Sequence, residues 1–271
     1  MIGLILFCIV YYFLAGLAVA LGYHRCLTHR AFRMKKYFEY FVVFLGLPAG
    51  TPIQWVGNHR FHHIHSDEDK DPHSPIVHGF WYAHNGWYIN SRNSMLCFLY
   101  AIAGPIRLLI DAYLRPISNQ QYNHLSKDVA KISFYKWLSK PSIYRCCMLL
   151  HLLVPYSFVW YFWGLKGVFF LWLTQIIVYN LGDAVNSLGH EEGESEYGKN
   201  NQALNHPLLA LLTFGDGYHA NHHQYPSAAN LNFKKKGIDF GWIIILVLQK
   251  FNLVYNIKSI EGGILKKDYH E

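Results

Sequence analysis

The chain has 271 residues, of which 52% are apolar, 17% are aromatic and only 15% are charged, a balance typical of a membrane protein. Its formal net charge is +7, but lysine and arginine are scattered beside apolar segments, which favours a membrane surface over nucleic acid as the partner. The five cysteines are odd in number and form no C-x-x-C pair, which excludes a disulfide scaffold and a zinc ribbon.

Apolar segments recur along the chain. Three are long enough to cross a bilayer core of roughly 30 Å as helices, at residues 2–21, 146–163 and 167–185. The last two are joined by a few residues, which predicts a hairpin. Three other apolar segments are predicted to be re-entrant or interfacial helices rather than full spans. Residues 37–56 are interrupted by proline and glycine, residues 95–114 are amphipathic, and residues 241–252 are short.

Histidines cluster in four places between these segments. The pattern H-x-x-H-H occurs in HRFHH, residues 59–63, and in HANHH, residues 219–223. Its first, fourth and fifth positions share one face of a helix and can converge on one point. His24 and His29 are five apart, so they need a helix end or a bend to converge; His190 closes the stretch NSLGH. Because a metal satisfies many imidazole nitrogens at once, the combination predicts a metal site.

The number of candidate ligands exceeds what one ion accepts, so we expect two ions. Imidazole ligands suit zinc, copper, nickel or iron, and chemistry alone leaves the metal open. A dinuclear centre beside bilayer hydrocarbon favours oxygen-dependent attack on an unreactive alkyl chain.

Histidines that share a metal must lie on one side of the membrane, so residues 37–56 are not expected to cross it fully. Several basic residues follow the first span, from Arg25 to Lys36, whereas the hairpin loop holds only Lys166. The positive-inside rule therefore places the histidines in the cytoplasm, on the bacterial inner membrane or the endoplasmic reticulum of a eukaryote. The predicted fold is one all-α integral membrane domain, residues 1–271, with about three transmembrane helices and a cytoplasmic histidine-rich cap.

The ordered histidine motifs resemble those of the membrane fatty acid desaturases, above all the acyl-CoA Δ9 (stearoyl-CoA) desaturases. The similarity extends through GYHRCLTHRAF, HRFHHIHSDEDKDPHSP, GFWYAHNGW, NSLGH and GDGYHANHHQYP, in that order. The resemblance implies two irons, which zinc can replace in a purified sample, with Asn186 contacting one through water. The implied ligands are His24, His29, His59, His62, His63, His190, His219, His222 and His223. The implied reaction uses dioxygen and two electrons to form a cis double bond in a long saturated acyl chain.

The resemblance also implies a substrate site that includes Trp55 and Trp87, with Arg92 near the phosphates of an acyl-CoA. Gly182 and Asp183 stand where animal members carry Thr and Trp, so the position of the double bond stays open. The chain begins at the family's second span, which leaves three of four. It contains no H-P-G-G haem-binding stretch, so we expect a separate electron donor of the cytochrome b5, ferredoxin or rubredoxin type, with its reductase. A carrier protein or a phospholipid is the alternative to CoA.

Four other functions are compatible with part of the pattern. A hydroxylase or an alkene-forming decarboxylase of the same superfamily would keep the diiron site, because histidine spacing does not decide the outcome. A metal transporter would carry ionisable residues along its spans, and the predicted spans offer almost none. An intramembrane zinc protease would need a second histidine to complete H-E-x-x-H after Glu191, and this is missing.

Overall fold

The structure is a computed structural model that describes residues 1–191, 197, 202–233, 237–262 and 264–267. These residues are mostly helical, as the sequence predicts. The α-helices are α1 (Ile2–Leu17), α2 (Lys36–Leu45), α3 (Pro52–His65), α4 (Pro75–His78), α5 (Trp87–Ile89), α6 (Ser94–Ala101), α7 (Pro105–Leu114), α8 (Lys127–Ala130), α9 (Ser133–Leu138), α10 (Pro141–Ser187), α11 (Pro207–Leu212), α12 (His219–Gln224) and α13 (Phe240–Lys250).

Shorter elements connect these helices. Two π-helices span Ala18–Thr28 and Tyr82–Gly86, and three 3₁₀ turns span Leu47–Ala49, Gln120–Ser126 and Leu188–His190. Strands β1 (Arg33–Met34) and β2 (Val254–Tyr255) pair antiparallel, as do β3 (Lys258–Glu261) and β4 (Ile264–Lys267).

Two helical segments of the described chain are long and apolar enough to cross a membrane, Ile2–Thr28 and Pro141–His190. Many of their large apolar side chains face outward; Leu6, Val154 and Leu165, for example, are more than half exposed. A water-soluble protein rarely exposes apolar side chains in such continuous stretches. The two segments therefore have the surface expected of helices that contact lipid.

Helix α10 doubles back on itself at Gly164, whose φ of +58° and ψ of −146° are accessible in practice only to glycine. The backbone carbonyl of Val159 lies against Gly167, and the Tyr156 hydroxyl donates to Oε1 of Gln175 at 2.9 Å. A straight helix would separate the first pair by about 12 Å and the second by about 28 Å. The segment is thus a hairpin with a first arm, residues 141–163, and a second arm, residues 165–187.

The interrupted apolar segments are broken in the structure. Between α2 and α3 the chain passes through a 3₁₀ turn and Gly50, whose φ is +138°. Thr51 then caps α3 by accepting a hydrogen bond from the amide of Gln54. Helices α6 and α7 meet at an angle of 115° just before Pro105. Residues 37–56 and 95–114 are therefore bent elements rather than single straight helices.

Two arginines join the segments that carry the histidines. Arg25 is fully buried and donates to the carbonyls of Phe214 and Ala229 and to the carboxylate of Asp239. Arg60, on α3, donates to the carbonyls of Leu27 and Thr28 at 3.2 and 3.0 Å. These bonds hold the end of the first long helix against α3 and against the segment around α12.

Candidate metal centre

The two H-x-x-H-H patterns are helical, as their spacing predicts. His59, His62 and His63 lie on the last two turns of α3, and α12 begins at His219 and carries His222 and His223. On each helix the i, i+3 and i+4 positions point to the same side. The two helices therefore present three imidazoles each to a common space.

His24 and His29 converge through a π-helix, which the sequence analysis did not foresee. The segment Ala18–Thr28 has i→i+5 bonding, and the amide of His29 donates to the carbonyl of His24 at 3.2 Å. Residues five apart share a face in a π-helix, whereas they diverge in an α-helix. The two rings are consequently close, with centroids 5.0 Å apart.

The histidines form two adjacent groups, in each of which the candidate ligand atoms lie within 4.8 Å of one another. Group 1 consists of His24, His29, His59 and His222, and group 2 consists of His62, His190, His219 and His223. His63 lies between them: its Nε2 is 2.8 Å from Nε2 of His222, and its ring centroid is 4.3 Å from that of His223. All nine histidines named from the sequence thus meet in one place.

The arrangement fits metal ions better than hydrogen bonding among the rings. Nε2 of His222 lies 2.9 Å from Nε2 of His24 and 2.8 Å from Nε2 of His63. A neutral imidazole carries one N–H, so a single nitrogen does not satisfy both contacts well. Nε2 of His29 is buried and has no hydrogen-bond partner. A cation at the centre of each group would satisfy these converging lone pairs.

Six of the nine rings are in the protonation state that a metal requires. Burial, and after it the neighbouring histidines, holds the pKa well below the ordinary 6.5 in His29, His59, His63, His219, His222 and His223. Neutral imidazole is the ligand form of histidine. These six rings can therefore bind cations at neutral pH without first losing protons.

Three aspartates contact the outer nitrogens of these rings. Both carboxylate oxygens of Asp71 lie 3.0 Å from Nδ1 of His62, and Asp67 Oδ2 lies 2.9 Å from Nδ1 of His190. Asp216 Oδ1 lies 3.0 Å from Nδ1 of His24, a close contact without the alignment of a hydrogen bond. A carboxylate in this position fixes the tautomer and leaves Nε2 free for a metal.

These aspartates were missed in the sequence analysis, although all three lie in its motif blocks. Burial opposes ionisation of Asp71, but the charge and hydrogen bond of His62 outweigh it and lower the pKa of this carboxyl. The pKa of Asp67 is lowered as well, because its bonds to His190 and Ser74 outweigh burial. Both are thus carboxylates at neutral pH. The usable signal was the acidic run that follows the second histidine motif.

A narrow cavity, called here the central cavity, runs past the histidines. It has a volume of about 170 Å³, and His24, His59 and His219 lie on its wall. Beyond them the wall is mainly apolar and comes from α1, the turn before α3 and the second arm of α10. A narrow apolar cavity beside two candidate metal sites suits an extended hydrocarbon chain.

Comparison with known proteins agrees with this geometry. The family model "Fatty acid desaturase" matches residues 2–236. The chain is a member of the fatty acid desaturase family. It is 35% identical to the sn-1 stearoyl-lipid 9-desaturase of Anabaena variabilis over 92% of this chain and 82% of the relative. It is 32% identical to the acyl-CoA C20 Delta5-desaturase of Anemone leveillei, with 93% and 72% covered, and 31% identical to the Delta-9 acyl-lipid desaturase 1 of Arabidopsis thaliana, with 92% and 73% covered.

In this desaturase the residues named for substrate binding lie in different surroundings. Trp55 stacks on the ring of His59, with centroids 5.0 Å apart, and lines the central cavity together with Trp87 and Asn186. Arg92 is exposed, lies over the ring of Tyr82 and does not line the central cavity. The structure thus places Trp55, Trp87 and Asn186 on the wall of the central cavity and Arg92 at the surface.

Histidines outside the two groups mostly have other partners in the desaturase. His84 is hydrogen-bonded to Ser187 and Asn180, and His151 donates to the carbonyl of Phe44. His73 differs, because it forms a third cluster with His62 and Asp71 and lines the central cavity. Burial and the nearby His62 lower its pKa to about 3, so it is neutral. His270 lies outside the described residues.

Proposed function

We propose that the chain is a dioxygen-dependent fatty acyl desaturase that introduces a cis double bond into a long saturated chain, at a Δ9-like position, using a histidine-ligated diiron centre. The observation that carries the proposal is the wall of the central cavity, where two groups of converging imidazoles border a mainly apolar space. Membership of the fatty acid desaturase family supports the reaction class.

The ligands that we propose are the nine histidines of the sequence analysis. His24, His29, His59 and His222 would hold one iron, and His62, His190, His219 and His223 would hold the other. His63, between the groups, would complete the first set through its contact with His222. Asn186 would reach one metal through a water molecule. The metals would supply the activation of dioxygen that amino-acid side chains do not provide.

The protein's own part in the reaction is to hold the rings and the chain. Asp71 and Asp67 fix the tautomers of His62 and His190, so that Nε2 of each ring faces the centre, and Asp216 lies 3.0 Å from Nδ1 of His24. The acyl chain would lie against Trp55, whose ring is held by its stack on His59. The wall of the cavity is largely apolar, which suits a hydrocarbon chain. Two hydrogens leave adjacent methylenes, a separate electron-transfer protein supplies two electrons, and two protons come from water, so that one dioxygen would be reduced to two water molecules.

We further propose that α1 and the two arms of α10 cross the membrane and that the site faces the cytoplasm. The turn of the hairpin carries a single basic residue, Lys166, whereas Arg25, Arg30, Arg33, Lys35 and Lys36 follow the first long helix. This asymmetry supports the orientation. In this topology the bent elements lie at the cytoplasmic surface.

Expression in cells that lack unsaturated fatty acids tests the proposal. Gas chromatography with mass spectrometry of their lipids should show a monounsaturated chain with one cis double bond. His222→Ala should abolish the product, because it removes the ring whose Nε2 contacts both His24 and His63. His124 is exposed, and His124→Ala should retain the product. A hydroxylated chain, or an alkene shortened by one carbon, would assign the protein to the other reactions of its superfamily. Equal activity of the two variants would refute the ligand assignment.

A further inference from the structure

Some of the proposed metal ligands reach the surface of the protein. His29, His63 and His223 are partly exposed and do not line the central cavity, so their exposed edges face outward. The proposed reaction draws two electrons from a separate protein. Such a protein can come closest to the metal sites where ligand rings are exposed. The charges around these rings therefore bear on which kind of electron donor the surface fits.

Basic side chains surround the exposed edge of group 1. Arg30 directly follows His29, and its side chain is 62% exposed. Arg60 stands between the ligands of α3 and is partly exposed. Lys127 begins α8, Lys131 directly follows it, and both are exposed. Four cationic side chains thus come from three separate segments of the chain.

A single carboxylate brings these segments together. Asp128 accepts a hydrogen bond from Nη1 of Arg60 at 2.6 Å and another from Arg30. Lys127 and Lys131 flank Asp128 and are four residues apart, so they project from one side of α8. The four cations and Asp128 are called here the basic surface. Its net charge is +3, so the carboxylate orders the cations without neutralising them.

An exposed apolar side chain lies beside the basic surface. Ile64 follows His63 and comes four residues after Arg60 on α3, so Ile64 and Arg60 point to the same side of the helix. Ile64 is 57% exposed. Interfaces between proteins combine an apolar centre with a polar rim. Ile64 together with the basic surface has this composition.

The surface near group 2 has the opposite charge. Glu68 and Asp69 are exposed just after Asp67, whose carboxylate contacts His190. Glu191 is exposed just after His190. The one lysine that follows Asp69 does not balance three exposed carboxylates. Among the described residues, positive charge therefore lies beside group 1 and negative charge beside group 2. An acidic partner is attracted to the first surface and repelled by the second.

Resting on the proposed desaturase function, we infer that the basic surface and Ile64 are the docking site of a small acidic protein that carries one electron. The docked carrier lies next to His29 and hence closer to group 1 than to group 2. Each reduced carrier is oxidised by one electron, so two encounters supply the two electrons of one turnover. An anionic membrane surface is the competing partner of the basic surface, and the test separates the two.

Binding of an acidic carrier tests the docking site without any turnover. The probes are an oxidised [2Fe–2S] ferredoxin and the soluble haem domain of a cytochrome b5, and the desaturase is held in nanodiscs of zwitterionic lipid. Lys127→Glu combined with Lys131→Glu changes the net charge of the basic surface from +3 to −1. The Kd of the carrier, measured by biolayer interferometry at low ionic strength, should rise roughly tenfold or more. The difference from the wild type should shrink at high salt.

A second pair of lysines provides a matched control. Lys166, at the turn of the hairpin, and Lys250, at the end of α13, are exposed and lie outside the basic surface. Lys166→Glu combined with Lys250→Glu lowers the net charge of the chain by the same amount and should leave the Kd nearly unchanged. Equal effects of the two double variants, or binding of neither carrier to the wild type, would overturn the inference.

Two further results separate the inference from its alternatives. A loss of carrier binding that appears only after anionic lipid is added to the nanodiscs would show that the basic surface contacts the membrane, and would overturn the inference. The desaturase function is judged separately, by the unsaturated product of the wild type in cells. If that product forms while Lys127→Glu with Lys131→Glu leaves the Kd unchanged, the inference is wrong and the function stands. If no product forms, the proposed function is overturned and the inference with it.

Discussion

Removing the carboxylate behind His62 should selectively weaken the binding of metal by group 2. Asp71 is 1% exposed, and its two oxygens lie 3.0 Å from Nδ1 of His62. The same carboxylate accepts the backbone amides of Asp67 and His73 at 2.9 and 3.1 Å. Asp71→Asn keeps the size of the side chain but leaves only one acceptor oxygen for these three donors. The tautomer of His62 that directs Nε2 toward the metal is then no longer enforced.

Loss of a supporting carboxylate typically lowers metal affinity 10- to 100-fold, which corresponds to about 1.4–2.8 kcal/mol. Group 1 has its own aspartate, Asp216 at His24, and does not contain His62. We therefore expect Asp71→Asn to retain close to half of the wild-type iron after dialysis against a weak chelator. Iron per chain, measured by plasma mass spectrometry of protein in detergent, provides the assay.

A matched control exists in the same segment. Glu68 also contacts Nδ1 of a histidine, His65, at 2.9 Å, but this pair is exposed and belongs to neither group. Glu68→Gln removes the same kind of hydrogen bond and should leave the iron content unchanged. If Asp71→Asn keeps both irons, or if Glu68→Gln loses as much iron as Asp71→Asn, the proposed role of Asp71 is wrong.

Three further predictions concern the cavity, the hairpin and pH. Gly182 lines the central cavity, and a Cβ added there would meet no atom within 4 Å. Gly182→Leu should therefore fill part of the cavity and reduce stearoyl desaturation, measured by product analysis, roughly tenfold or more. An unchanged amount of product would show that the acyl chain does not pass this residue. Gly164→Ala should destabilise the hairpin by about 1–3 kcal/mol, visible as a lower thermal unfolding temperature in detergent, because its backbone is confined to glycine conformations. The pKa values of His59, His63 and His222 are lowered below 6.5 in the folded protein, so the unfolded chain binds more protons than the folded one as the pH falls past 6.5. Metal-free protein should therefore unfold at a lower temperature at pH 5.5 than at pH 7.5. An unfolding temperature that does not change with pH would contradict the burial of these histidines in the neutral form.

The arrangement of the histidines within each H-x-x-H-H motif was predictable from their spacing alone. An H-x-x-H-H pattern puts three rings on one side of any α-helix, so the geometry of His59, His62 and His63 follows from the chain itself. The convergence of His24 and His29 did not follow, because it depends on a π-helix, which inserts one extra residue per turn and has no clear sequence signature.

The division into two groups was also beyond the sequence, because it is decided by tertiary packing. His62 and His63 are neighbours on α3, yet His62 belongs to group 2 while His63 contacts both groups. The aspartates escaped notice for a related reason: a carboxylate next to a histidine motif has many possible partners until the loop that carries it is folded.

The site is held together by contacts other than those of its ligands. Neutral imidazoles attract one another only weakly, so the groups do not assemble themselves. Arg25 binds the carbonyls of Phe214 and Ala229, and Arg60 binds the carbonyls of Leu27 and Thr28. These charge-assisted bonds lie one residue from His24 and from His59 and tie together the segments that carry both groups. Because they do not depend on a metal, the ligand rings are expected to be in place before the ions bind, so that binding costs little rearrangement of the backbone.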